Sequence, residues 1–237
     1  MWKKKDAGQR FGAVIVAGGS SSRMQGVDKQ SLYLEDVPVL VRSILPFTKM
    51  EEVSEIVLVC REDFIPEMME LVWTFGLEKI RSIVRGGSTR QQSVQRGIEA
   101  LSEDVDYFLI HDGARPFADE DLIARCMEDA LEHGAATAAV PSKDTIKVAD
   151  QEGFISATPD RSTLWLTQTP QIFRRDWYLQ ALQQARLDAV DCTDDCQLLE
   201  RLGRKVHLSM GSYFNIKITT QEDIPIAMAI AQVMDGK

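Results

Sequence analysis

Long apolar runs are missing from this 237-residue chain. No stretch approaches the ~18 apolar residues that a membrane span requires, so none is expected. The basic N-terminus "MWKKKDAGQR" has no apolar core behind it and does not read as a signal peptide. A basic surplus is missing too. The net charge of −9 argues against nucleic acid as the main partner. It leaves room for a small anionic ligand, which needs only a local cluster of Lys and Arg. Cysteine is scarce, with four residues. Cys192 and Cys196 are spaced C-x3-C with no matching pair elsewhere, so no metal site is expected. Cys60 and Cys126 lie in apolar runs and read as small core residues. Nothing demands a disulfide, which fits a reducing cytoplasm as the expected location. Histidine is scarcer still, at three, and this limits the candidates for a general base.

What is present is ordinary for a globular enzyme: 44% apolar and 27% charged residues. A chain of this length buries roughly 70–75% of its extended surface. A single domain over 1–237 is expected. Strand-like and helix-like stretches alternate through the first 140 or so residues. "FGAVIVAGG", "EIVLVC", "IRSIVRGG", "YFLIHDGARP" and "GAATAAVPS" read as strands. "PVLVRSILPFTKM", "FIPEMMELVWTF", "RQQSVQRGIEAL" and "DEDLIARCMEDALEH" read as the helices between them. Apolar strands bounded by Gly and Pro, with helices between, predict an α/β fold: a Rossmann-like, mostly parallel sheet flanked by helices. Ligands bind such sheets at the carboxyl ends of the strands.

The alternation breaks near Lys143. From about 143 to 170 the chain reads as two short strands around "DQEG" and then irregular segment. With no helix to cover it, this predicts either a projecting hairpin arm paired with another subunit or an ordinary edge hairpin. Helices resume at "RRDWYLQALQQARLD" and "TDDCQLLERLG". A strand "KVHLSMG", the segment "NIKITT" and a last helix "QEDIPIAMAIAQVM" close the chain.

The glycine-rich turn after the first strand, "VAGGSSSRMQGVDKQ", carries Arg23 and Lys29. Such turns let backbone N–H groups approach phosphate oxygens. No G-x4-G-K-[ST] string occurs, so it is not a P-loop. Gly18-Gly19 followed by three serines fails the dinucleotide spacing, although Glu62 and Asp63 could mimic the ribose-binding acid. Two cations six residues apart suit a charge-dense triphosphate; the bland alternative is a solvated loop. Further signals sit at strand ends. Gly86, Gly87, Ser88, Arg90 and Ser93 enter a helix, and "HDGARP" supplies Asp112 and Arg115. Period 2 puts His111 and Asp112 on opposite faces, and Asp112 is favoured as the one facing a ligand. His133 and His207 read as ordinary surface or strand histidines. Lys217 lies in what reads as an apolar strand, where it is either paired or extends its head to solvent.

"AGGSSSRM", "DKQ", "GGSTRQQSV", "HDGARP", "KDT", "DRSTLW", "TPQ" and "NIKIT" occur together, in one order and spacing. In these motifs, from about Phe11 to the last helix, the chain resembles the 2-C-methyl-D-erythritol 4-phosphate cytidylyltransferases. The resemblance implies cytidylyl transfer from CTP to a polyol phosphate, with release of pyrophosphate. It implies transition-state stabilisation by Arg23 and Lys29 and a backbone cradle for CTP at Ala17, Gly18 and Gly19. Gly87, Ser93 and Asp112 become nucleotide contacts. Asp112 also falls near the methylerythritol phosphate, with Arg115, Thr145, Arg161 and Thr169, while Arg161 and Lys217 position its phosphate. It further implies Mg2+ carried mainly by the CTP phosphates, and a homodimer whose arms, bearing Thr145 and Arg161, complete each other's sites.

Three positions depart from the family's pattern. Asp28 replaces the usual proline, "AGG" replaces "AAG", and "HDGARP" replaces "HDAARP". The ribitol-5-phosphate cytidylyltransferases share several of the motifs and form the nearest rival; "DRSTLW" and "KDTIK" favour methylerythritol phosphate. A dinucleotide-binding dehydrogenase is disfavoured by the glycine spacing. A silent regulatory dimer is disfavoured by the retained cations.

Overall fold

The computed structural model describes residues 8–18 and 32–236. Gly19, Arg23, Asp28 and Lys29 lie outside the described residues.

In chain order the elements are β1 (Phe11–Val16), β2 (Tyr33–Leu34), β3 (Val37–Pro38), α1 (Val39–Lys49), β4 (Val53–Cys60) and α2 (Ile65–Thr74). Then come β5 (Ile80–Arg85), α3 (Arg90–Glu99), β6 (Tyr107–Asp112), α4 (Glu120–His133), β7 (Ala135–Pro141), β8 (Val148–Ala149) and β9 (Ile155–Ala157). The chain finishes with β10 (Trp165–Arg174), α5 (Arg175–Leu187), α6 (Asp195–Arg201), β11 (His207–Met210) and α7 (Asp223–Met234). Seven strands make one sheet in the order β11-β7-β10-β6-β1-β4-β5. All neighbouring pairs are parallel except those of β10, which runs antiparallel to both β6 and β7. The architecture is α/β, with a mostly parallel sheet between helices.

Alternation along each strand feeds two cores. Ala13 and Ile15 of β1, with Tyr107 and Leu109 of β6, pack on one face with Phe47 of α1 and Ile123 of α4. Val14, Phe108 and Ile110 pack on the other with Val94 of α3 and Tyr178 of α5. Burial on both faces is why these strands read as unbroken apolar runs. Helix starts follow side-chain chemistry: Thr89, Asp119 and Asp194 each accept a first-turn N–H, from Gln92, Leu122 and Gln197. Gly134 closes α4 in the left-handed region, φ 84°.

Two readings of the sequence need correction. The irregular stretch expected up to residue 170 contains β10, a ten-residue central strand. The projecting part is smaller: β8 and β9 pair only with each other, and every residue of both is exposed. Polar Thr167, Gln168, Thr169 and Gln171, together with Pro170, hid the strand. A proline cannot donate to a ladder, and the β10–β7 register shifts between Thr167 and Gln171, across a cis Thr169–Pro170 bond. The buried glutamines are satisfied sideways: Gln168 Nε2 donates to Ser212 O (2.8 Å) and Gln171 Nε2 to Thr137 Oγ1 (3.2 Å). The second correction concerns "NIKITT", which is not a strand but an extended connection to α7.

α3 crosses β1 and β4 at Gly97. A Cβ there would sit 2.4 Å from Val14 Cγ1 and 2.8 Å from Val59 Cγ2, both on fully buried strand residues. Helix propensity favours Ala over Gly by about 1 kcal/mol. Overpacking a rigid core costs about 1–3 kcal/mol. We expect the clash to win, so Gly97→Ala should lower the urea midpoint at unchanged m-value; an equal or higher midpoint would show that the strands yield.

Candidate active site

Three strands end together. β1 runs into Ala17, β5 into Gly86 and Gly87, and β6 ends at Asp112. Backbone bonds tie these ends together, two of them through the end of β4: Ala17 N–H donates to Val59 O (2.7 Å), Gly86 N–H to Cys60 O (2.8 Å) and Gly113 N–H to Val16 O (2.9 Å). Gly87 N–H donates to Ser93 Oγ (3.0 Å), and the Ser93 hydroxyl donates to Thr89 O (2.8 Å). Ser93 therefore shapes the β5–α3 turn. A Cβ at Gly87 would lie 2.3 Å from Gln92 Cβ, so only glycine fits there.

Asp112 is the centre of charge. Its carboxylate, buried at the β6 terminus, lies 3.0 Å from Lys217 Nζ, 3.3 Å from Arg115 Nε and 3.9 Å from Arg90 Nε. Burial alone would raise its pKa. The charges of Lys217, Arg115 and Arg90 outweigh that and hold it well below the usual carboxylate range. Arg90 has a second carboxylate: its Nη1 is 2.6 Å from Asp195 Oδ2, and Tyr178 OH donates to Asp195 Oδ1 at 2.5 Å. Burial disfavours the charged guanidinium, but Asp195 and Asp112 raise its pKa above the ordinary value. Arg115 is anchored through Nη1 to Asn215 O at 2.8 Å, and Asn215 Nδ2 in turn donates to Thr169 O at 2.9 Å. Three cations thus face two carboxylates within this cluster.

His111 points the other way, as its register demands. Its ring packs on Phe47, centroids 4.9 Å apart. Its Nδ1 is 3.0 Å from Thr169 Oγ1, and its Nε2 is 3.2 Å from Arg115 O. Thr169 Oγ1 already accepts the Asp112 N–H at 3.0 Å. A self-consistent network has the Thr169 hydroxyl donating to Nδ1 and Nε2–H donating to the carbonyl. Both ring nitrogens are then engaged, and burial pulls the pKa down to about 4. This is a neutral structural histidine, not a general base.

Of the residues singled out from sequence, Ala17, Gly18, Gly87, Ser93, Asp112, Arg115 and Thr169 lie at or beside these strand ends. Lys217 joins them; its side chain is 40% exposed and its ammonium is paired with Asp112. Thr145 and Arg161 do not join. Both are exposed at the base of the arm, where Arg161 Nη1 donates to Lys143 O at 3.0 Å. Asp195 and Tyr178 escaped the sequence reading. "TDDCQLL" signals the helix cap at Asp194, but no local pattern marks its neighbour as the buried partner of Arg90.

The sequence profile of the family described as "IspD: 2-C-methyl-D-erythritol 4-phosphate cytidylyltransferase" matches residues 11–233. The chain belongs to this family. It is 45% identical over 222 residues to the enzyme of that name from Geobacter metallireducens, covering 92% of this chain and 95% of the relative. It is 44% identical over 219 residues to the one from Desulforamulus reducens, covering 92% and 94%. Among solved structures it resembles the 4-diphosphocytidyl-2C-methyl-D-erythritol synthase of Anaerococcus prevotii, with a TM-score of 0.84 and 31% identity over 94% of this chain and 96% of that one. The 2-C-methyl-D-erythritol 4-phosphate cytidylyltransferase of Thermus thermophilus gives a TM-score of 0.76 and 29% identity, over 93% and 98%. The family is one of nucleotidyltransferases, and these matches do not favour the ribitol-phosphate alternative.

Because the folded protein keeps His111 neutral, the unfolded chain takes up that proton first. Stability should be flat in this residue above pH 6.5, fall as the pH drops towards 4 and flatten again below it. The full span corresponds to roughly 3 kcal/mol. Urea denaturation of the protein and of His111→Gln across pH 4–7 should show the slope in the former and its loss in the latter; parallel curves would refute the assignment.

Proposed function

We propose that this chain transfers the cytidylyl group of CTP to the phosphate of 2-C-methyl-D-erythritol 4-phosphate, giving 4-diphosphocytidyl-2-C-methyl-D-erythritol and pyrophosphate. The observation that carries this reading is a family match spanning 11–233, on a chain whose strand ends gather Arg90, Arg115 and Lys217. A phosphate monoester has its second pKa near ~6 and is largely dianionic at neutral pH. Its oxygen attacks the α-phosphorus in line. A new phosphorus–oxygen bond forms, and the bond to the β-phosphate oxygen breaks with its electron pair going to pyrophosphate. No proton has to be removed from the nucleophile, which accords with the engagement of both nitrogens of His111. The work is to bring two anions together and to hold positive charge where negative charge develops.

In this reading Lys217 and Arg115 meet the substrate's phosphate, and Asp112 fixes both by pairing with them. Gly87 and Ser93 shape the wall on which the nucleoside rests, while Ala17, Gly18 and Gly19 carry the turn that passes the triphosphate. Arg23 and Lys29 stabilise the charge that develops on the phosphates. Mg2+ belongs to the same proposal. Asp112 is enclosed by three cations, which disfavours a further cation at its carboxylate, so we place the ion on the triphosphate. There it would neutralise part of the nucleotide's charge. Four free thiols suit work in the cytoplasm.

The arm is assigned to a second subunit. Among the described residues no hydrogen bond or ion pair joins Thr145 or Arg161 to the Asp112 cluster, and both side chains are exposed. The hairpin beyond them exposes Phe154 and Ile155, at 67% and 65%, which favours burial against a partner. A homodimer with exchanged arms would give each site a partner's Arg161.

Two measurements test this. Pyrophosphate release from CTP should be fast with methylerythritol phosphate and slow with ribitol 5-phosphate. Removing one preorganised cation costs about 3–4 kcal/mol, so Lys29→Ala and Arg23→Ala should each slow turnover by roughly 10²–10³ with the fold intact. Near-normal turnover in either would sink the loop assignment. For the arm, inactive Arg161→Ala and Lys29→Ala subunits should be mixed under exchange conditions. Equal mixing gives about half heterodimers and restores roughly a quarter of all sites if the sites are shared. No recovery after verified exchange would overturn sharing while leaving the chemistry standing.

A further inference from the structure

At the far edge of the sheet, remote from the strand ends just described, three metal-ligating side chains converge. Asp129 and His133 lie one turn apart in the last part of α4, on the same face. His207 opens β11, the edge strand, and its backbone pairs with Ala136 at the start of β7. Chain topology pins the three together, since α4 ends at Gly134 and β7 begins at the next residue. The two imidazoles stack with centroids 4.3 Å apart. His207 Nδ1 is 3.4 Å from Asp129 Oδ2, and one ligand atom from each residue falls within 4.8 Å of the others. Across a tetrahedral zinc with bonds of ~2.1 Å the ligand atoms stand roughly 3.4 Å apart. Small side-chain rotations on two partly exposed rings supply the difference. Asp129 Oδ2 also accepts the Ser209 hydroxyl at 2.5 Å, the kind of outer bond that orients a ligating carboxylate.

We propose that Asp129, His133 and His207 form a binding site for one borderline divalent ion of the Zn2+, Ni2+ or Cu2+ class, tying the edge strand β11 to the end of α4. The proposal gives a role to two histidines that the sequence reads as ordinary surface or strand residues. Two imidazoles and a carboxylate suit these ions. They do not suit Mg2+, which demands oxygen and keeps its waters, so the site is distinct from the nucleotide's metal. The ion's fourth position would hold water.

Calorimetric titration of the metal-stripped protein with Zn2+ should give one ion per chain, and Zn2+ at ten times its dissociation constant should raise Tm by about 3–5 °C. Mg2+ should do neither. His133→Gln and His207→Gln should each weaken Zn2+ binding at least tenfold, whereas Cys192→Ser should leave it unchanged. A measurement on the unsubstituted chain keeps the test independent of any folding defect: Zn2+ should protect His133 and His207 from diethyl pyrocarbonate, mapped by peptide mass. Absence of binding at millimolar Zn2+, binding insensitive to both histidine substitutions, loss of binding in Cys192→Ser, or unprotected histidines would each overturn the proposal.

Discussion

Asp112 has three cations around one carboxylate, and the carboxyl end of the sheet depends on that arrangement. The residue closes the last turn of a fully buried strand, so its charge sits where an unpaired ion would be costly. Lys217 comes from the connection before α7, Arg115 from the turn after β6, and Arg90 from the first turn of α3. One carboxylate therefore fastens three separate pieces of chain. Removing one partner of such a group costs about 3–5 kcal/mol, because it strands the remaining charges. The converse also holds. The three cations are thus held in fixed positions, with their charge neutralised in part.

Arg90 extends the same logic inward. It bridges Asp112 to Asp195, and Asp195 is held by the Tyr178 hydroxyl deep in the second core. The cluster thereby rests on the packing of α5 and α6, which supply Tyr178 and Asp195. His111 plays the mirror role on the other face. Through Thr169 it couples the end of β6 to the proline-containing bend of β10, and through the Arg115 carbonyl to the turn that carries an active-site cation.

Much of this was legible in the sequence because the strands announce themselves. Val14, Ile15 and their neighbours are buried on both faces, so the parallel strands read as apolar runs, and glycine marks where they end. The gathering of Arg90, Arg115 and Lys217 was legible through motif spacing, and Asp112 through its parity with His111. β10 was not legible, because its central residues satisfy their polarity by side-chain bonds that only the folded sheet supplies. Asp195 was hidden for a related reason: its partner Arg90 is 105 residues away in sequence. The Asp129, His133 and His207 cluster was scattered in the same way, across a helix and a strand that only the sheet brings together.

The reversed direction of β10 has a consequence for how the protein can vary. β7 delivers the chain to the carboxyl end of the sheet at Pro141, and β10 carries it back from that same end. Whatever lies between them must leave and return at that end. The segment is thus an insertion whose two ends are fixed by neighbouring ladders and whose length the sheet does not constrain. Closing a longer loop costs only about 0.6 kcal/mol per doubling. Lengthening, shortening or recomposing the hairpin would leave both cores untouched, so the reach of the arm and the identity of its tip can drift independently of the scaffold that holds the cations.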